Sequence, residues 1–257
     1  MANTKRGPCP VCDRGAKDTA LAIKADERGT VEYCHRCGYA AADNFARRPV
    51  AVPQHSADPL DWSNRAERIW NETQPLGPIA RAYLERRGCV LPPADGDLRF
   101  LPASEKFTPT LCARITDAVT AQPLSLHFTP LRSDGSARGE RRLLAGHRKR
   151  GGVIRLWPDE TVTHGLAIAE GIETCLAAGH LFTPAWATVD AGNLARFPVL
   201  NGIESLTIFA DNDPAGLTAA QECRRRWRDA EREVRVLRAR ADGADVADLT
   251  AQIRGAA

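Results

Sequence analysis

The repeat of apolar and polar positions changes twice along the chain. Residues 61–73 place Trp62, Ala66, Ile69 and Trp70 on one side of a 3.6-residue period, which predicts an amphipathic helix. Residues 78–88 predict a second helix, ended by Gly88, a residue type suited to the left-handed turn after a helix. The period then shortens to two: residues 111–119 and 124–131 alternate apolar and polar and predict strands, and 133–136 predict a turn. From Thr163 onward strands and helices take turns. Residues 164–169, 185–189, 205–210 and 234–237 predict strands, 172–181 and 214–230 helices, and 246–253 a short terminal helix. Pro214 falls in a first helical turn, where its missing N–H breaks no bond. This alternation predicts an α/β fold, a mostly parallel sheet with helices on both faces, whose chemistry lies beyond the carboxyl ends of the strands.

The N-terminal part has neither period. Its signal is cysteine spacing: Cys9 and Cys12 form one C-x2-C knuckle, Cys34 and Cys37 another. Paired knuckles separated by a hairpin-length gap predict a zinc ribbon, with four thiolates closing a tetrahedral Zn²⁺ site and His35 left on the surface. So small a ribbon buries little, so the metal supplies most of its folding energy, about 10–16 kcal/mol for such sites. The remaining cysteines, Cys89, Cys112, Cys175 and Cys223, lack partner spacing and read as buried thiols. Free thiols beside a thiolate zinc site fit a reducing cytoplasm. Between ribbon and helices, Pro49, Pro53 and Pro59 mark a semi-extended linker. The expected organisation is a ribbon over 1–46, a linker over 47–60, a mixed α+β basic subdomain over 61–158 and the α/β domain over 159–257.

Composition changes this picture little. The chain has 257 residues, a net charge of +3 and no apolar run long enough for a membrane span or a secretory leader. Charge position says more. Eight Arg or Lys and only two acids lie between Leu131 and Arg155, interrupted by Gly146, Gly151 and Gly152. Glycines among cations let a backbone approach phosphate. Arg142 and Lys149 are the first candidates for substrate phosphates, with Arg141, Arg148 and Arg150 beside them. Arg224, Arg225, Arg226 and Arg228 read as a solvated helix face. In the ribbon, Tyr33, His35 and Tyr39 either pack within it or stand exposed to contact single-stranded bases, the tyrosines by stacking.

Acids segregate the other way. Seven acids and one arginine lie between Glu160 and Ala215. Glu170 ends the first strand of the α/β domain, Asp211 and Asp213 end the third, and Asp245 and Asp248 follow the fourth. Carboxylates gathered at one sheet edge repel one another unless a cation neutralises them, and hard divalent ions take oxygen ligands. A single such acid could be a helix cap, but three clusters on one edge point to a metal-dependent catalytic site.

Glu170-Gly171 followed by Asp211-x-Asp213 opening a helix resembles the Toprim domain, over roughly 163–254. A four-cysteine ribbon, a basic mixed segment and then Toprim is similar to the architecture of phage-type and bacterial DNA primases. Residues 81–101, and 126–131 with Asp134-Gly135, resemble the phage and mobile-element members. The resemblance implies that Glu170 is the essential carboxylate, as general base or metal ligand, and that Asp211 and Asp213 hold Mg²⁺ or Mn²⁺ with Asp245 as the third acidic position. Bacterial primases carry a carboxylate four residues after the glutamate. Here Thr174 stands at that place, which leaves Glu173 as a second-rank candidate turned away on the helix. The activity implied is primer synthesis on single-stranded DNA from nucleoside triphosphates by two-metal transfer. No G-x4-G-K-[ST] loop occurs, so a separate helicase partner is expected. The competing readings are a Toprim nuclease using the same acids and a non-enzymatic recombination mediator.

Overall fold

The computed structural model describes residues 3–12, 15, 18–26, 29–34, 36–37, 39–43, 61–105 and 107–238. The chain divides into two compact units, 1–57 and 58–257. The linker expected over 47–60, His35, Asp245, Asp248 and the terminal helix expected over 246–253 lie outside the described residues.

The first unit is a four-stranded antiparallel sheet of β1 (Asn3–Gly7), β2 (Leu21–Asp26), β3 (Gly29–Cys34) and β4 (Ala40–Asp43), in chain order. The hairpin between β2 and β3 pairs Leu21 with Cys34 at its open end and so carries the second knuckle toward the first. Cys9, Leu21 and Cys34 are its buried residues, with Ile23 and Tyr39 packed against them.

The second unit begins with α1 (Asn64–Asn71) and α2 (Pro78–Arg86). Ser63 caps α1 by accepting the N–H of Ala66, and the predicted stripe of Ala66, Ile69 and Trp70 is buried. Next come β5 (Leu98–Leu101), β6 (Thr110–Asp117), β7 (Pro123–Pro130), β8 (Arg142–Leu143) and β9 (Gly152–Arg155). The α/β part follows: β10 (Gly165–Ala169), α3 (Ile172–Ala178), β11 (Ala185–Ala187), α4 (Ala191–Ala195), β12 (Ser205–Phe209), α5 (Pro214–Asp229) and β13 (Glu233–Leu237).

Alternation on the parallel strands sorts the core into two layers. Ala167, Ala169, Ala185, Ala187 and Phe209 face α3. Leu166, Ile168, Trp186, Leu206 and Ile208 face α4 and α5, where Trp227 stacks on Phe197. Helices thus cover both faces, as expected of parallel strands buried on both sides. In the antiparallel part, α2 joins the first layer through Leu84, and α1 covers the opposite side with Leu101, Cys112 and Leu126.

The segments expected as a basic subdomain and an α/β domain contribute to one backbone sheet. All these strands form one nine-stranded sheet, ordered β13-β12-β10-β11-β9-β6-β7-β8, with β5 paired to β6. The joint is β9. It pairs antiparallel with β11 (Ala187 opposite Ile154) and also with β6 (Thr116 opposite Val153). Gly152 permits this junction, because a Cβ there would stand 2.4 Å from Ile115 Cγ2.

Candidate active site and zinc centre

In the first unit the two knuckles meet. The Sγ atoms of Cys9 and Cys37 are 3.7 Å apart, as are those of Cys12 and Cys34, and all four lie within 4.8 Å of one another. Sulfurs about 2.3 Å from a tetrahedral centre stand about 3.8 Å apart, so the donor set fits Zn²⁺. The backbone N–H groups of Cys37 and Arg36 bring the Cys34 thiol down to about 6, while contact with Cys37 and the other sulfurs pushes the Cys12 thiol up to about 12, so in the absence of a cation the four do not ionise together. Arg36 is held by Asp18 at 2.8 Å. Tyr39, a candidate for base stacking, packs instead against the cysteine core.

In the second unit the parallel strands bring their carboxyl ends to one edge. Glu170 follows β10, while Asp211 and Asp213 follow β12. Asp213 caps α5, its Oδ1 accepting the N–H of Gly216 at 2.8 Å. Gly216 is what lets these groups approach: a Cβ there would stand 2.8 Å from the carbonyl oxygen of Asp211, 3.1 Å from its Cβ and 3.2 Å from Oε1 of Glu170. Burial pushes the Glu170 carboxyl up to about 7, and the charges of Asp211, Asp213 and Asp190 push the same way. The N–H of Ala191, at the start of α4, works against them by donating to Glu170. An all-oxygen donor set that repels itself is chemically suited to a hard divalent cation. Among the described residues, however, only the four cysteines gather into a close metal-ligating cluster.

Asp190 joins this edge without having been expected there. It follows β11, a parallel strand like β10 and β12, so the strand-end rule that points to Glu170 and Asp211 applies to it equally. Its Oδ1 accepts the N–H of Asn193, and its Oδ2 holds the Nζ of Lys149 at 2.7 Å. Val189, just before it, has φ of +74°, which a β-branched residue adopts only when its surroundings impose it.

The five basic candidates separate. Among them only Lys149 is paired to the acidic edge. Arg141 reaches Glu173 Oε2 at 2.9 Å, and Arg148 pairs with Asp61 at 2.6 Å and Asp117 at 3.6 Å. Arg142 and Arg150 are exposed and make no ion pair with a described residue. Glu173, the second-rank candidate, is held by Arg141 through one oxygen. It is buried, and its other oxygen accepts the Tyr83 hydroxyl at 2.6 Å. The glycines among the arginines differ: Gly146 and Gly151 adopt φ of +81° and +76°, the N–H of Gly151 donates to Asn193, and Gly152 lies under Ile115. Of the arginines on α5, Arg226 is tied to the carbonyl of Ala195, while Arg225 and Arg228 are exposed.

Residues 165–256 match the model of the Toprim domain, and this part of the chain is a Toprim domain. Residues 61–156 match a model described as a domain of unknown function, DUF7146. No curated protein gives a significant match. Among solved structures the chain is similar to a DnaG catalytic core, at 16% identity over 73% of this chain and 72% of that one, with a TM-score of 0.45. It is also similar to a DNA primase domain from Pseudomonas aeruginosa (15% identity, 76% and 60% covered, TM-score 0.40). A third is the RNA polymerase domain of Mycobacterium tuberculosis primase DnaG (18%, 74% and 79%, TM-score 0.41). No helix of the described residues is long and apolar enough to cross a membrane.

Proposed function

From the Toprim domain as premise, we propose that this protein is a DNA primase, a nucleotidyltransferase that synthesises short RNA primers on single-stranded DNA from nucleoside triphosphates. The observation that carries this reading is the acidic edge of Glu170, Asp211 and Asp213 in a chain that also brings four cysteine thiols together. Joining nucleotides requires a 3′-hydroxyl to attack an α-phosphate in line with departing pyrophosphate. Glu170, Asp211 and Asp213 hold Mg²⁺ or Mn²⁺ in this reading, with Asp245 as a further ligand. Bound there, divalent metal stabilises the charge on the entering and leaving oxygens.

The chain's own groups do the rest. Glu170, raised by burial and by the charges of Asp211, Asp213 and Asp190, is the acid of the edge with most to gain from a bound cation. Lys149, across from it on Asp190, supplies charge for the triphosphate. Arg142 and Arg150, exposed and without described acidic partners, suit the template backbone. The cysteine module, holding structural Zn²⁺, would present the template, and a separate helicase would expose it.

The test is incubation with single-stranded DNA, labelled NTPs and Mg²⁺. Short RNA products that disappear with Asp211→Ala support the primase. Cleavage of the DNA without synthesis replaces it by a nuclease using the same acids, and DNA binding with neither activity by a recombination mediator.

A further inference from the structure

Lysine is a poor choice for a precise phosphate contact unless something fixes its stem, because its four-carbon chain has many rotamers to lose. In this protein Lys149 is fixed at both ends. At the backbone end, the buried Asn193 side chain donates to the carbonyls of Lys149 (2.8 Å) and Gly152 (3.1 Å). The same side chain accepts the N–H of Gly151 at 3.1 Å. At the other end, the ammonium sits on Asp190. Asp190 is itself immobilised by capping α4 through the N–H of Asn193, and the N–H of Ala191, next in the chain, goes to Glu170. One short segment therefore touches the acid proposed as catalytic and the cation proposed for the triphosphate. The left-handed φ of Val189 is the backbone distortion that brings Asp190 to this place.

We infer that the segment from Asp190 to Asn193 is a positioning device for Lys149. Asn193 fixes its backbone at the acidic edge, and Asp190 serves as a resting counter-ion that yields the ammonium to the incoming triphosphate. This rests on the proposed function for the identity of the ligand, a metal-bound nucleoside triphosphate, and adds how the cation is held ready for it. Neither residue is a catalytic residue: Asn193 acts through Lys149, and Asp190 acts on the same ammonium while its charge also bears on Glu170.

The two neighbours have opposite expected effects, which a merely structural role would not produce. Asn193→Ala releases the loop and raises the KM for NTP about tenfold with kcat within about twofold, as does Lys149→Ala. Because both act through one ammonium, adding Asn193→Ala to Lys149→Ala raises KM by no more than about a further twofold. Asp190→Asn keeps the cap, since asparagine caps as well as aspartate, but removes the competing charge, so KM falls about threefold. Should Asn193→Ala fail to fold, the sign of the Asp190→Asn effect decides alone. Additive effects of Asn193→Ala and Lys149→Ala, or a rise in KM for Asp190→Asn, overturn the inference. The same variants are compared in Mg·ATP binding to the full chain by calorimetry, which needs no synthesis. Primers with an additive cycle leave the primase reading standing and remove this inference. Binding without primers removes the primase reading, and calorimetry then decides the inference. A wild type that neither makes primers nor binds Mg·ATP overturns both.

Discussion

The cysteine module rests on three described buried residues, Cys9, Leu21 and Cys34, two of which are themselves candidate ligands. The acidic edge rests on apolar layers covering both faces of the parallel strands in a nine-stranded sheet. In the first region a metal on the four thiols would complete the fold. The second has its core without one, and gathers carboxylates whose charges push Glu170 up. A cation would therefore enter one region as folding energy and the other as relief of electrostatic stress. Removing metal or ligands should consequently unfold one and leave the other intact.

The largest expected effect tests the first half of that contrast. Chelation, or Cys34→Ser, withdraws binding energy of about 10–16 kcal/mol from a region with almost no core. Residues 1–43 should become open to protease, while the main thermal transition, which belongs to 58–257, stays within a few degrees. A module that resists protease without metal would erase the distinction.

An intermediate effect separates two acids that lie three residues apart. Glu173 is buried and satisfied by Tyr83 and Arg141, so it is a structural charge rather than a metal candidate. Arg141→Met strips its ionic partner and should cost about 2 kcal/mol, less than a fully buried pair because Arg141 is half exposed. Thermal melting reads this as a loss of several degrees.

The smallest effect has the opposite sign. The Glu170 carboxyl lies at about 7 in the fold against an ordinary 4.5, so the folded state holds its proton more tightly between those values. The stability it contributes is present below about 4.5 and lost as pH rises through about 7. Glu170→Gln should therefore be more stable than the wild type at pH 8 by about 1 kcal/mol, once solvent screening of a half-buried group is allowed for, and equal to it at pH 4, with Tm following in both cases. Millimolar Mg²⁺ should narrow the difference by stabilising the wild type. A Gln variant less stable than wild type at pH 8 would show that the edge is not under electrostatic stress.

Much of this is legible in residue order. Helix α1 is readable because Trp62, Ala66, Ile69 and Trp70 keep one period, and β10 and β12 because each is a short, largely apolar run closed by an acid. The cysteine cluster follows from spacing alone. What escapes is short or long-range. Helix α4 has five residues, too few for a period, and its cap gives a signal only once Asp190 is read as a strand end. β9 hides behind the run Arg148-Lys149-Arg150, where charge outweighs four residues of pattern. The pairing of Lys149 with Asp190 and of Arg141 with Glu173 spans many residues, and only the tertiary fold decides which arginine or lysine meets which acid.

The position of β9 has a consequence for how the chain can be divided. The stretch matching the domain of unknown function ends at 156, and the Toprim match begins at 165, which invites a cut between them. Yet such a cut removes β9 from beside β11 and strips the N–H and C=O partners from a three-residue strand whose side chains are all buried. A fragment starting at 157 would carry a raw, apolar sheet border, the kind that recruits a second copy or precipitates. The cooperative unit here is larger than either recognisable domain, and recombination that exchanged one half would have to carry its neighbour's border strand with it.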